Sequence, residues 1–378
     1  MKTILILAFS NLAVDPRVNR QIRFLRDTYR VIAVGLAHPK VEGVEFIPVT
    51  KKKRRYPSPL GVLQMLFHRY DDWYWQQKHV IDAFNKLANV RADLILANDL
   101  QTLPLALKVA RGAKVILDAH EYAPRQNEDV LSWRLLIQDY ATYLCRKYIP
   151  QVHAMMTVCP GIAETYERDT GVKPLVMTSA PDYEDLEPNV MSGNGRRIRL
   201  IHHGAAAPSR KIENMIRMMD DLDERFELNL MFVKSNPRYL RYLKRLAEKR
   251  SAIRFLPPQP MHQLPRYLNQ FDIGVYLLEP TNFNHLHSLP NKFFEFIQAR
   301  LGVAIGPSPE MARIVSEHNL GVISEDFSPK RLAQCLRHLD PKTINFYKSQ
   351  SHKAAQILSA EKNKELLLDL VKKLLKDG

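Results

Sequence analysis

Short runs of consecutive apolar residues, rather than alternating ones, recur along the first half of the chain. A strand buried on both faces has this pattern, and such strands belong to parallel sheets. Segments with helical periodicity lie between several of these runs, and the alternation indicates a doubly wound α/β sheet with right-handed crossovers. We predict strands at 3–9, 30–36, 44–49, 93–98, 114–119, 153–159 and 175–179. We predict helices at 15–26, 62–87, 102–110, 131–148 and 160–168.

The same alternation restarts after a break. Residues 182–197 begin as an acidic stretch and continue into Ser192-Gly193-Asn194-Gly195, a composition typical of a domain boundary. Beyond it we predict strands at 198–203, 228–234, 253–256, 273–278, 303–305 and 321–324. We predict helices at 211–222, 237–248, 265–270, 292–300, 310–317, 330–339, 343–358 and 362–375.

The predicted fold is α/β, with two tandem doubly wound, Rossmann-like domains. They cover residues 1–188 and 189–378, and the last helices are free to pack back on the first domain. We expect the domains to face an interdomain cleft, because the C-terminal ends of the strands in each sheet are where ligands of such folds bind.

Composition places the chain among ordinary globular proteins. Its 378 residues suit two domains, and its 46% apolar and 25% charged residues exclude wholesale disorder. No apolar run approaches the roughly 18 residues of a membrane-spanning helix. The run at 4–9 is too short for a signal peptide. Three distant cysteines, Cys145, Cys159 and Cys335, fit reduced thiols and a cytoplasmic location.

Charge is unevenly distributed along the chain. Lys and Arg number 55 against 40 Asp and Glu, a net charge of +15. Up to Val190 there are 25 basic and 21 acidic residues, and from Met191 onward 30 and 19. A basic second half suits an anionic ligand such as a nucleotide diphosphate, a nucleic acid or an anionic lipid. For most of these residues a solvated basic surface is the simpler explanation.

The segment 51–75 concentrates positive charge next to apolar residues. It begins at Lys51 with Lys51-Lys52-Lys53-Arg54-Arg55, continues as an amphipathic stretch and ends with aromatic residues at Trp75. A basic cluster beside such a segment resembles an interfacial anchor on an anionic membrane. A charged loop leading into a core helix is an equal alternative. We expect no nucleic acid to bind here, because aromatics at helical spacing do not form a flat stacking platform.

The sequence lacks the motifs that are typical of several enzyme classes. There is no G-x-G-x-x-G after a strand and no P-loop, so a dehydrogenase or a P-loop NTPase loses its main support. H-E-x-x-H, C-x-x-C and G-x-S-x-G are also absent. Asp221-Leu222-Asp223 could hold a metal-bound diphosphate, but it ends a charged helix and is more typical of solvated surface. We expect neither a metal ion nor a cofactor.

The first candidate residues follow the first predicted strand. Asp15 can cap a helix that has Pro16 at its first position. Arg17 and Arg20 lie one turn apart near the start of this helix, where positive charge opposes the helix dipole, so an anionic partner is expected nearby. Plain capping with surface arginines is the alternative. Asn11 lies in the same loop.

A second candidate group, Asp118-Ala119-His120-Glu121, ends the strand that begins at Lys114. The C-terminal end of a strand in a doubly wound sheet points toward the ligand site. We therefore expect His120 and Glu121 to border the cleft, although a lone histidine is more often structural.

The third candidate group is Ser288-Leu289-Pro290-Asn291-Lys292, with Glu295 one turn further on. Asn291 can cap a helix, and Lys292 beside the free amides of the helix start forms a site for phosphates. Glu295 can accept two hydrogen bonds from a ribose diol. The alternative is a capped helix with a salt bridge between Lys292 and Glu295.

A further group, His203-Gly204-Ala205-Ala206-Ala207, leaves the first strand of the second domain. Its small residues let the backbone approach a ligand closely. Arg210 and Lys211 then open the next helix with positive charge.

Together, in this order and spacing, these segments resemble the retaining glycosyltransferases of the GT-B fold, in the large family four. The resemblance covers nearly the whole chain. It implies that the second domain binds a nucleotide-diphosphate hexose as donor. The first domain would bind a glycan or lipid-linked acceptor, as in polysaccharide biosynthesis, and transfer would retain configuration without a metal ion. The matching pieces are Asp15-Pro16-Arg17-Val18, Asp118-Ala119-His120-Glu121, His203-Gly204, Phe271-Asp272-Ile273-Gly274-Val275 and the stretch 289–303 that continues to Pro309-Glu310.

The resemblance also implies roles for individual residues. His120 aligns with the family histidine near the reacting sugar. Glu295 aligns with the second glutamate of an E-x7-E motif, the expected ribose ligand. The first glutamate falls at His287, which is not acidic, so backbone amides around His287 and Ser288 would hold the sugar instead.

The chain departs from the family pattern after the first strand of the second domain. Gly204-Ala205-Ala206 stands where Gly-Arg-Leu is usual, so one phosphate-binding arginine is missing and Lys292 can supply its charge. Arg210 matches the later basic residue of that motif, and Lys211 stands where glycine is common. The predicted catalytic residues are His120, Arg210, Lys292 and Glu295. The predicted donor-binding residues are Gly204, Arg210, Lys211, His287, Ser288, Leu289, Pro290, Asn291, Lys292 and Glu295. The predicted acceptor-binding residues are Asn11, Asp15, Arg17, His120 and Glu121.

Two other functions stay open at this point. The fold also supports sugar-nucleotide epimerases. The departures at Ala205 and His287 leave room for a non-catalytic binding protein of the same fold. We expect a cytoplasmic enzyme that can sit peripherally on the inner face of the membrane through segment 51–75.

Overall fold

A computed structural model of the chain describes residues 1–51, 58–192, 195–233 and 236–376. The chain divides into two compact units. Unit 1 comprises Met1–Thr178, Asn282–Asn284 and Asn363–Gly378, and unit 2 comprises Ser179–Thr281 and His285–Lys362. Each unit contains one parallel sheet.

The sheet of unit 1 has seven parallel strands in the order β3-β2-β1-β4-β5-β6-β7. The order reverses between β1 and β4, which creates a crevice at the C-terminal ends of these two strands. The strands are β1 Thr3–Leu7, β2 Arg30–Gly35, β3 Glu45–Pro48, β4 Leu94–Asn98, β5 Lys114–Ala119, β6 Ala154–Thr157 and β7 Leu175–Val176. The helices are α1 Pro16–Arg26, α2 Pro59–Leu66, α3 Tyr70–Trp75, α4 Lys78–Leu87, α5 Leu103–Val109, α6 Leu131–Trp133, α7 Asp139–Tyr148 and α8 Pro160–Thr170.

The sheet of unit 2 has six parallel strands in the order β10-β9-β8-β11-β12-β13, and its order reverses between β8 and β11. The strands are β8 Ile198–Gly204, β9 Phe226–Phe232, β10 Ile253–Leu256, β11 Ile273–Tyr276, β12 Gly302–Ile305 and β13 Gly321–Ile323. The remaining α-helices among the described residues are α9 Glu213–Met218, α10 Pro237–Ala247, α11 Leu264–Leu268, α12 Phe283–Leu286, α13 Asn291–Gln298, α14 Pro309–His318, α15 Pro329–Arg337, α16 Pro341–Ala355 and α17 Ala360–Lys376.

Burial on both faces explains why these runs form strands. All five residues of β4 and all seven of β9 are buried, and so are the last five of β2 and β5. Helices cover the two faces of each sheet, so the strands need no alternation of apolar and polar residues. The predicted α/β fold with two parallel sheets is confirmed.

The single helix expected over 62–87 is wrong. The segment folds as α2, α3 and α4, and the first break falls at His68, whose backbone adopts the left-handed conformation with φ 54°. The break turns the aromatic residues inward, because Tyr70, Trp73 and Tyr74 are buried in unit 1 while Phe67 stays exposed. The aromatic half of segment 51–75 therefore belongs to the core. Residues 52–57, which carry most of the basic run, lie outside the described residues.

Candidate functional site

Two cationic side chains of unit 2 flank the end of β8. Gly204 is the last residue of this strand, and its backbone has φ 120°, a conformation that side-chain-bearing residues rarely adopt. A Cβ atom placed on Gly204 would lie 2.9 Å from Nζ of Lys292 and 3.6 Å from Nη1 of Arg210. Glycine therefore keeps open a small space in front of both cations.

Lys292 is buried although it is a cation. It is the second residue of α13, and its Nζ lies 5.0 Å from the ring centre of Tyr276. Among the described residues its ammonium group has no hydrogen-bond partner. Burial, and then the positive charge of Arg210, lowers the pKa of Lys292 to about 7, and the charge of Glu295 offsets only part of this shift. Near pH 7 the amine of Lys292 is therefore only partly protonated in the folded protein, and no side chain of the described residues bonds to it directly.

Glu295 lies one turn along α13 from Lys292 and is buried, with one oxygen 3.3 Å from Nε2 of His203. Burial, and then the charge of Lys292, lowers the pKa of His203 to about 3, so this histidine is neutral near pH 7. The ammonium group of Lys292 makes no hydrogen bond to Glu295, so the alternative that these two simply pair with each other is not the arrangement found.

The residues that precede α13 deviate from the expected capping. Pro290 is the N-cap and offers no side-chain acceptor, and Asn291 is the first helical residue, so the prediction that Asn291 caps the helix is wrong. The proline ring fixes the chain in an extended conformation there, and helical geometry starts one residue later. Leu289 is buried and Ser288 is half-buried. The start of α13 thus lacks a side-chain cap for its first amides.

His287 has an acidic neighbour although it is not acidic itself. Its Nδ1 lies 2.8 Å from a carboxylate oxygen of Glu310, which is buried near the start of α14. A carboxylate therefore lies close to the position where the resemblance places the first glutamate of the E-x7-E motif, but it comes from the following helix.

Lys211 has the backbone conformation that its sequence position implies. It adopts the left-handed conformation with φ 44°, which is why glycine suits this position. Its side chain forms a salt bridge of 2.6 Å with Glu279, and both residues are half-buried. Lys211 is thus paired within the chain, whereas Arg210 donates a long hydrogen bond of 3.4 Å to the carbonyl of Ala205.

In unit 1, Arg17 is buried and bound to Asp118. Nε and Nη2 of Arg17 donate to the two carboxylate oxygens at 2.7 and 2.6 Å, and Nη1 donates to the carbonyl of Met177 at 2.9 Å. Gln21, one turn along α1, also donates to Asp118. The anionic partner expected for Arg17 is therefore an aspartate of the chain itself.

His120 follows β5 and lies among acceptors. Its Nε2 is 3.2 Å from Oδ1 of Asn98 and 3.4 Å from Oδ2 of Asp118, and its Nδ1 is 3.6 Å from Oδ1 of Asp99. Burial alone would lower the pKa of His120, but the negative charges of Asp99 and Asp118 outweigh it and raise the pKa. The histidine is thus held in place by groups that favour its protonated form.

A cavity of about 140 Å³ lies at the C-terminal ends of β1, β4 and β5, within unit 1. Its lining includes Ser10, Asp15, Asp99, His120 and Glu121. Asp15 accepts from the amide of Val18 and caps α1, as predicted, and it also accepts from the hydroxyl of Ser10. Polar groups thus converge on the crevice where the strand order reverses.

Asn11 is exposed and caps the short helical turn 12–14, so its side chain is occupied locally. Asp99 was not predicted as a site residue. Its backbone has φ 65°, a strained conformation for a residue other than glycine, which is common near functional sites. The signal that could have found it is its position directly after a buried strand, the same argument that identified His120. Tyr276, which ends β11 beside Lys292, could have been found in the same way.

No family model matches the chain, and no curated protein matches it in sequence. Solved structures match it in fold. HepE of Anabaena, solved in complex with UDP and glucose, has a TM-score of 0.69 and 14% identity over 99% of this chain and 100% of its own. Sucrose-phosphate synthase of Thermosynechococcus elongatus has a TM-score of 0.75 and 12% identity, with both chains fully covered.

A third similar structure is WaaG, a glycosyltransferase involved in lipopolysaccharide biosynthesis, with a TM-score of 0.65 and 14% identity over 97% of this chain and 99% of its own. These neighbours are GT-B glycosyltransferases. The chain therefore has the GT-B glycosyltransferase fold, as the sequence motifs predict.

Proposed function

We propose that this chain transfers a hexose from a nucleotide-diphosphate sugar to a glycan or lipid-linked acceptor, with retention of configuration and without a metal ion. The observation that carries the proposal is the buried ammonium group of Lys292, which has no hydrogen-bond partner among the described residues and lies with Arg210 around Gly204. A buried charge without a counter-charge is costly, so such a site is suited to an anion that arrives from solution.

A nucleotide diphosphate fits this arrangement. Its phosphate groups would lie in front of Gly204 beside Arg210 and Lys292, and Lys292 is the second residue of α13, whose start has no side-chain cap. Glu295 would accept hydrogen bonds from the ribose hydroxyls, as acidic residues do in other nucleotide-binding folds. His287 and Glu310 would face the hexose. HepE, which was solved with UDP and with UDP-glucose, provides an example of such ligands on this fold.

The proposed reaction exchanges one bond for another at the anomeric carbon. The bond from this carbon to the diphosphate oxygen breaks, and the electron pair leaves with the diphosphate. The acceptor hydroxyl oxygen attacks from the same face and forms the new glycosidic bond, and its proton goes to the departing phosphate. Arg210 and Lys292 would stabilise the charge that develops on the leaving group, which is the kind of interaction that contributes most in such sites.

The acceptor would bind in unit 1, at the crevice that contains His120. Asp99, Asp118 and Asn98 surround the imidazole, and the negative charges of Asp99 and Asp118 raise the pKa of His120 and favour its protonated form. A protonated imidazole can donate to a hydroxyl of the acceptor or of the hexose. We propose that His120 positions this hydroxyl rather than removing its proton.

A panel of nucleotide sugars tests the proposal. The protein would be incubated with UDP-, GDP-, ADP- and dTDP-hexoses, with and without glycan and lipid-linked acceptors, while release of nucleotide diphosphate is measured. A transferase releases the diphosphate faster when its acceptor is present. An epimerase changes the sugar without release, and a non-catalytic scaffold shows neither release nor binding of UDP or GDP in calorimetric titration; either outcome excludes the proposed transfer.

Diphosphate binding should be accompanied by proton uptake. At pH 8 most of Lys292 is neutral because its pKa is about 7, whereas the diphosphate is fully ionised. An anion bound beside the lysine raises that pKa, so up to one proton should be taken up per site, following the linkage between pKa and binding. Titration calorimetry in buffers of different ionisation enthalpy measures this number. Binding without proton uptake at pH 8 would show that the anion does not reach Lys292.

The lowered pKa of Lys292 also determines how its contribution to the stability of the fold changes with pH. The unfolded chain keeps Lys292 charged up to its ordinary pKa of 10.5, whereas the folded chain releases this proton near pH 7. The contribution of this residue to stability therefore increases as the pH rises from about 7 toward 10. Lys292→Met is the matched control, because it removes both the uptake and this part of the pH dependence.

We propose that segment 51–75 contacts an anionic membrane through its first part, up to Phe67, because its aromatic half is buried in unit 1. Within the described part of this segment, α2 exposes Leu60, Leu63 and Leu66, and Phe67 follows it with 73% of its surface exposed. Lys51 is exposed, and in the sequence four further basic residues come directly after it. Basic residues near an anionic surface contribute about 1 kcal/mol each. Among the described residues no helix is long and apolar enough to cross a membrane, so this contact would be interfacial.

Vesicle flotation tests the membrane contact. We expect the protein to float with phosphatidylglycerol vesicles at low salt and much less with phosphatidylcholine vesicles. Leu63→Asp combined with Leu66→Asp should reduce flotation by about tenfold, because two apolar contacts are replaced by charges that the surface repels. The control is Val14→Asp, since Val14 is also an exposed apolar residue of unit 1. Equal flotation of both variants would contradict the assignment to α2.

A further inference from the structure

A second cavity of unit 1, of about 260 Å³, lies beside the crevice that contains His120. Away from that crevice its walls are formed mostly by apolar and aromatic side chains, together with Asn127. The two cavities share Leu100, Gln101, Ala123 and Gln126 in their linings, so they adjoin each other at these residues. The residues that belong to the larger cavity alone are Trp73, Asn127, Trp133, Ile137, Tyr140, Ala141 and Leu144.

The aromatic walls of this cavity are held in fixed positions. Trp73 and Tyr140 meet edge to face with ring centres 4.7 Å apart, and both are buried, as is Trp133. Because the rings are locked by packing, the space between them is a property of the fold rather than of loose surface side chains. Such preformed apolar cavities with a few polar groups at one end are typical of ligand sites.

A π-helical turn at Arg134–Gln138 forms part of the cavity wall. It places Ile137 in the lining, whereas Leu135 on the same turn is exposed over 70% of its surface. Turns of this kind are rare and are frequently found at functional sites. The turn packs against α2, the helix that exposes Leu60, Leu63 and Leu66. The cavity therefore adjoins the polar crevice on one side, and the turn that forms part of its wall also contacts the helix that exposes these leucines.

We infer that this cavity binds the hydrocarbon chain of the acceptor, and that the acceptor is an amphiphile whose hydroxyl-bearing head lies in the crevice beside His120. The inference rests on the proposed function, because it names the class of acceptor for the same site. Gln101 and Gln126 line both cavities, so their polar side chains would lie where the head of the acceptor joins its hydrocarbon chain. A glycan in the larger cavity would meet the polar side chains Gln101, Gln126 and Asn127 but would lie mainly against apolar and aromatic side chains, which is unfavourable for its hydroxyls.

The inference specifies a hydrocarbon chain on the acceptor and not its source, since an acyl chain and a polyprenyl chain are both hydrocarbons. The test first measures hydrocarbon binding by itself. Of the three tryptophans, Trp73 and Trp133 line the cavity, so the variant Trp75→Phe leaves only cavity tryptophans as fluorophores. The probes are butyl, hexyl and octyl β-glucosides with a terminal bromine, which quenches tryptophan on contact, used below their micelle concentrations. Methyl glucoside is the control without a chain.

We expect saturable quenching whose half-point falls as the chain lengthens, by up to about fourfold per methylene, which corresponds to ~0.8 kcal/mol. In the same background Ile137→Asp should weaken binding at least about tenfold, because it places a charge in the apolar wall. Leu135→Asp places the same charge on the same turn outside the cavity and should change the half-point less than about twofold. Ala141→Phe fills the cavity and should abolish saturation.

Quenching that does not saturate, that is independent of chain length, or that Ile137→Asp and Leu135→Asp affect equally would overturn the inference. The chain-length series uses no cavity variant, so it decides the matter even where Ala141→Phe does not fold. Calorimetric binding of nucleotide diphosphate is measured on the same samples. Normal nucleotide binding without chain-length dependence rejects the cavity and leaves the proposed function standing. Absent nucleotide binding rejects the proposed function, whatever the quenching shows.

Once a sugar donor is known, acceptors with an acyl chain can be distinguished from acceptors with a polyprenyl chain. Acceptors with the same head and either a saturated acyl chain or a branched isoprenoid chain are compared at equal chain length. The acceptor whose chain occupies the cavity is the one whose KM is higher in Ile137→Asp but unchanged in Leu135→Asp. If neither KM responds to Ile137→Asp, the cavity does not take the chain of the acceptor.

Discussion

Under the proposed mechanism, Lys292→Ala and Arg210→Ala should each slow sugar transfer by about 100-fold or more, because each removes a cation that would stabilise charge on the leaving diphosphate. The rate of diphosphate release at saturating donor measures the effect. The side chains of both residues lie against the same small space in front of Gly204, so the double variant should lose less than the product of the two single effects. Near-normal transfer by both variants would remove these residues from the proposed mechanism.

Two matched controls separate loss of this site from general loss of positive charge. Lys330 occupies the same position in α15 that Lys292 occupies in α13, the second residue, but it is exposed. Arg238 has the corresponding place in α10 and is also exposed. Lys330→Ala and Arg238→Ala should leave transfer within about twofold of the unmodified protein. Lys292→Ala should not lower the melting temperature, because it removes a buried charge without a bonded counter-charge.

Breaking the pair of Arg17 and Asp118 should strongly destabilise unit 1. Both side chains are buried, and removal of one partner from a buried ion pair typically costs about 3–5 kcal/mol because the other charge is left uncompensated. Arg17→Ala also leaves the carbonyl of Met177 without its donor. We expect the free energy of unfolding, measured with urea, to fall by this amount. Arg23→Ala on the exposed face of the same helix is the control and should change it by less than about 0.5 kcal/mol.

The same pair predicts acid sensitivity. Burial would raise the pKa of Asp118, but the charge of Arg17, together with hydrogen bonds from His120 and Arg17, outweighs it and holds this pKa far below its ordinary value. A depressed carboxyl pKa contributes stability that is present above about pH 4 and is lost as the pH falls further. Arg17→Ala should therefore flatten the loss of stability below pH 4. An unchanged acid-unfolding profile would show that Asp118 does not depend on Arg17.

The strands were predictable because a buried parallel strand leaves a strong signal. Runs such as the one that forms β4 contain hardly a polar residue, and turn residues mark their ends. The order of the strands is not encoded in any one run, but right-handed crossovers leave few arrangements for such a series. The fold class therefore follows from the pattern of residues alone.

The break between α2 and α3 could not be inferred in this way. Apolar residues continue through it at roughly helical spacing, and the left-handed residue is a histidine rather than a glycine. Packing decides the matter, because the turn at His68 lets Tyr70 and Trp73 enter the core of unit 1. The free energy gained by burying these two aromatic side chains outweighs the cost of one strained backbone conformation, which is roughly 1–3 kcal/mol.

The positions of the candidate site residues could be predicted from the sequence, but the partners of their charged side chains could not. Strand ends point to His120, and a helix start points to Lys292, because both follow from the geometry of doubly wound sheets. Sequence alone does not show which charges find partners in the fold. Arg17 and Lys211 are paired with Asp118 and Glu279, whereas Lys292 has no such partner among the described residues.

Under the proposed function, the burial of Lys292 would also link heat resistance to nutrient supply. Its amine has no hydrogen-bond partner among the described residues, and a diphosphate bound beside it would stabilise the folded protein by mass action. The protein would then resist heating best while the proposed sugar donor is abundant and be most easily degraded during starvation. A residue that serves the proposed transfer would in this way also influence how long each copy of the protein persists.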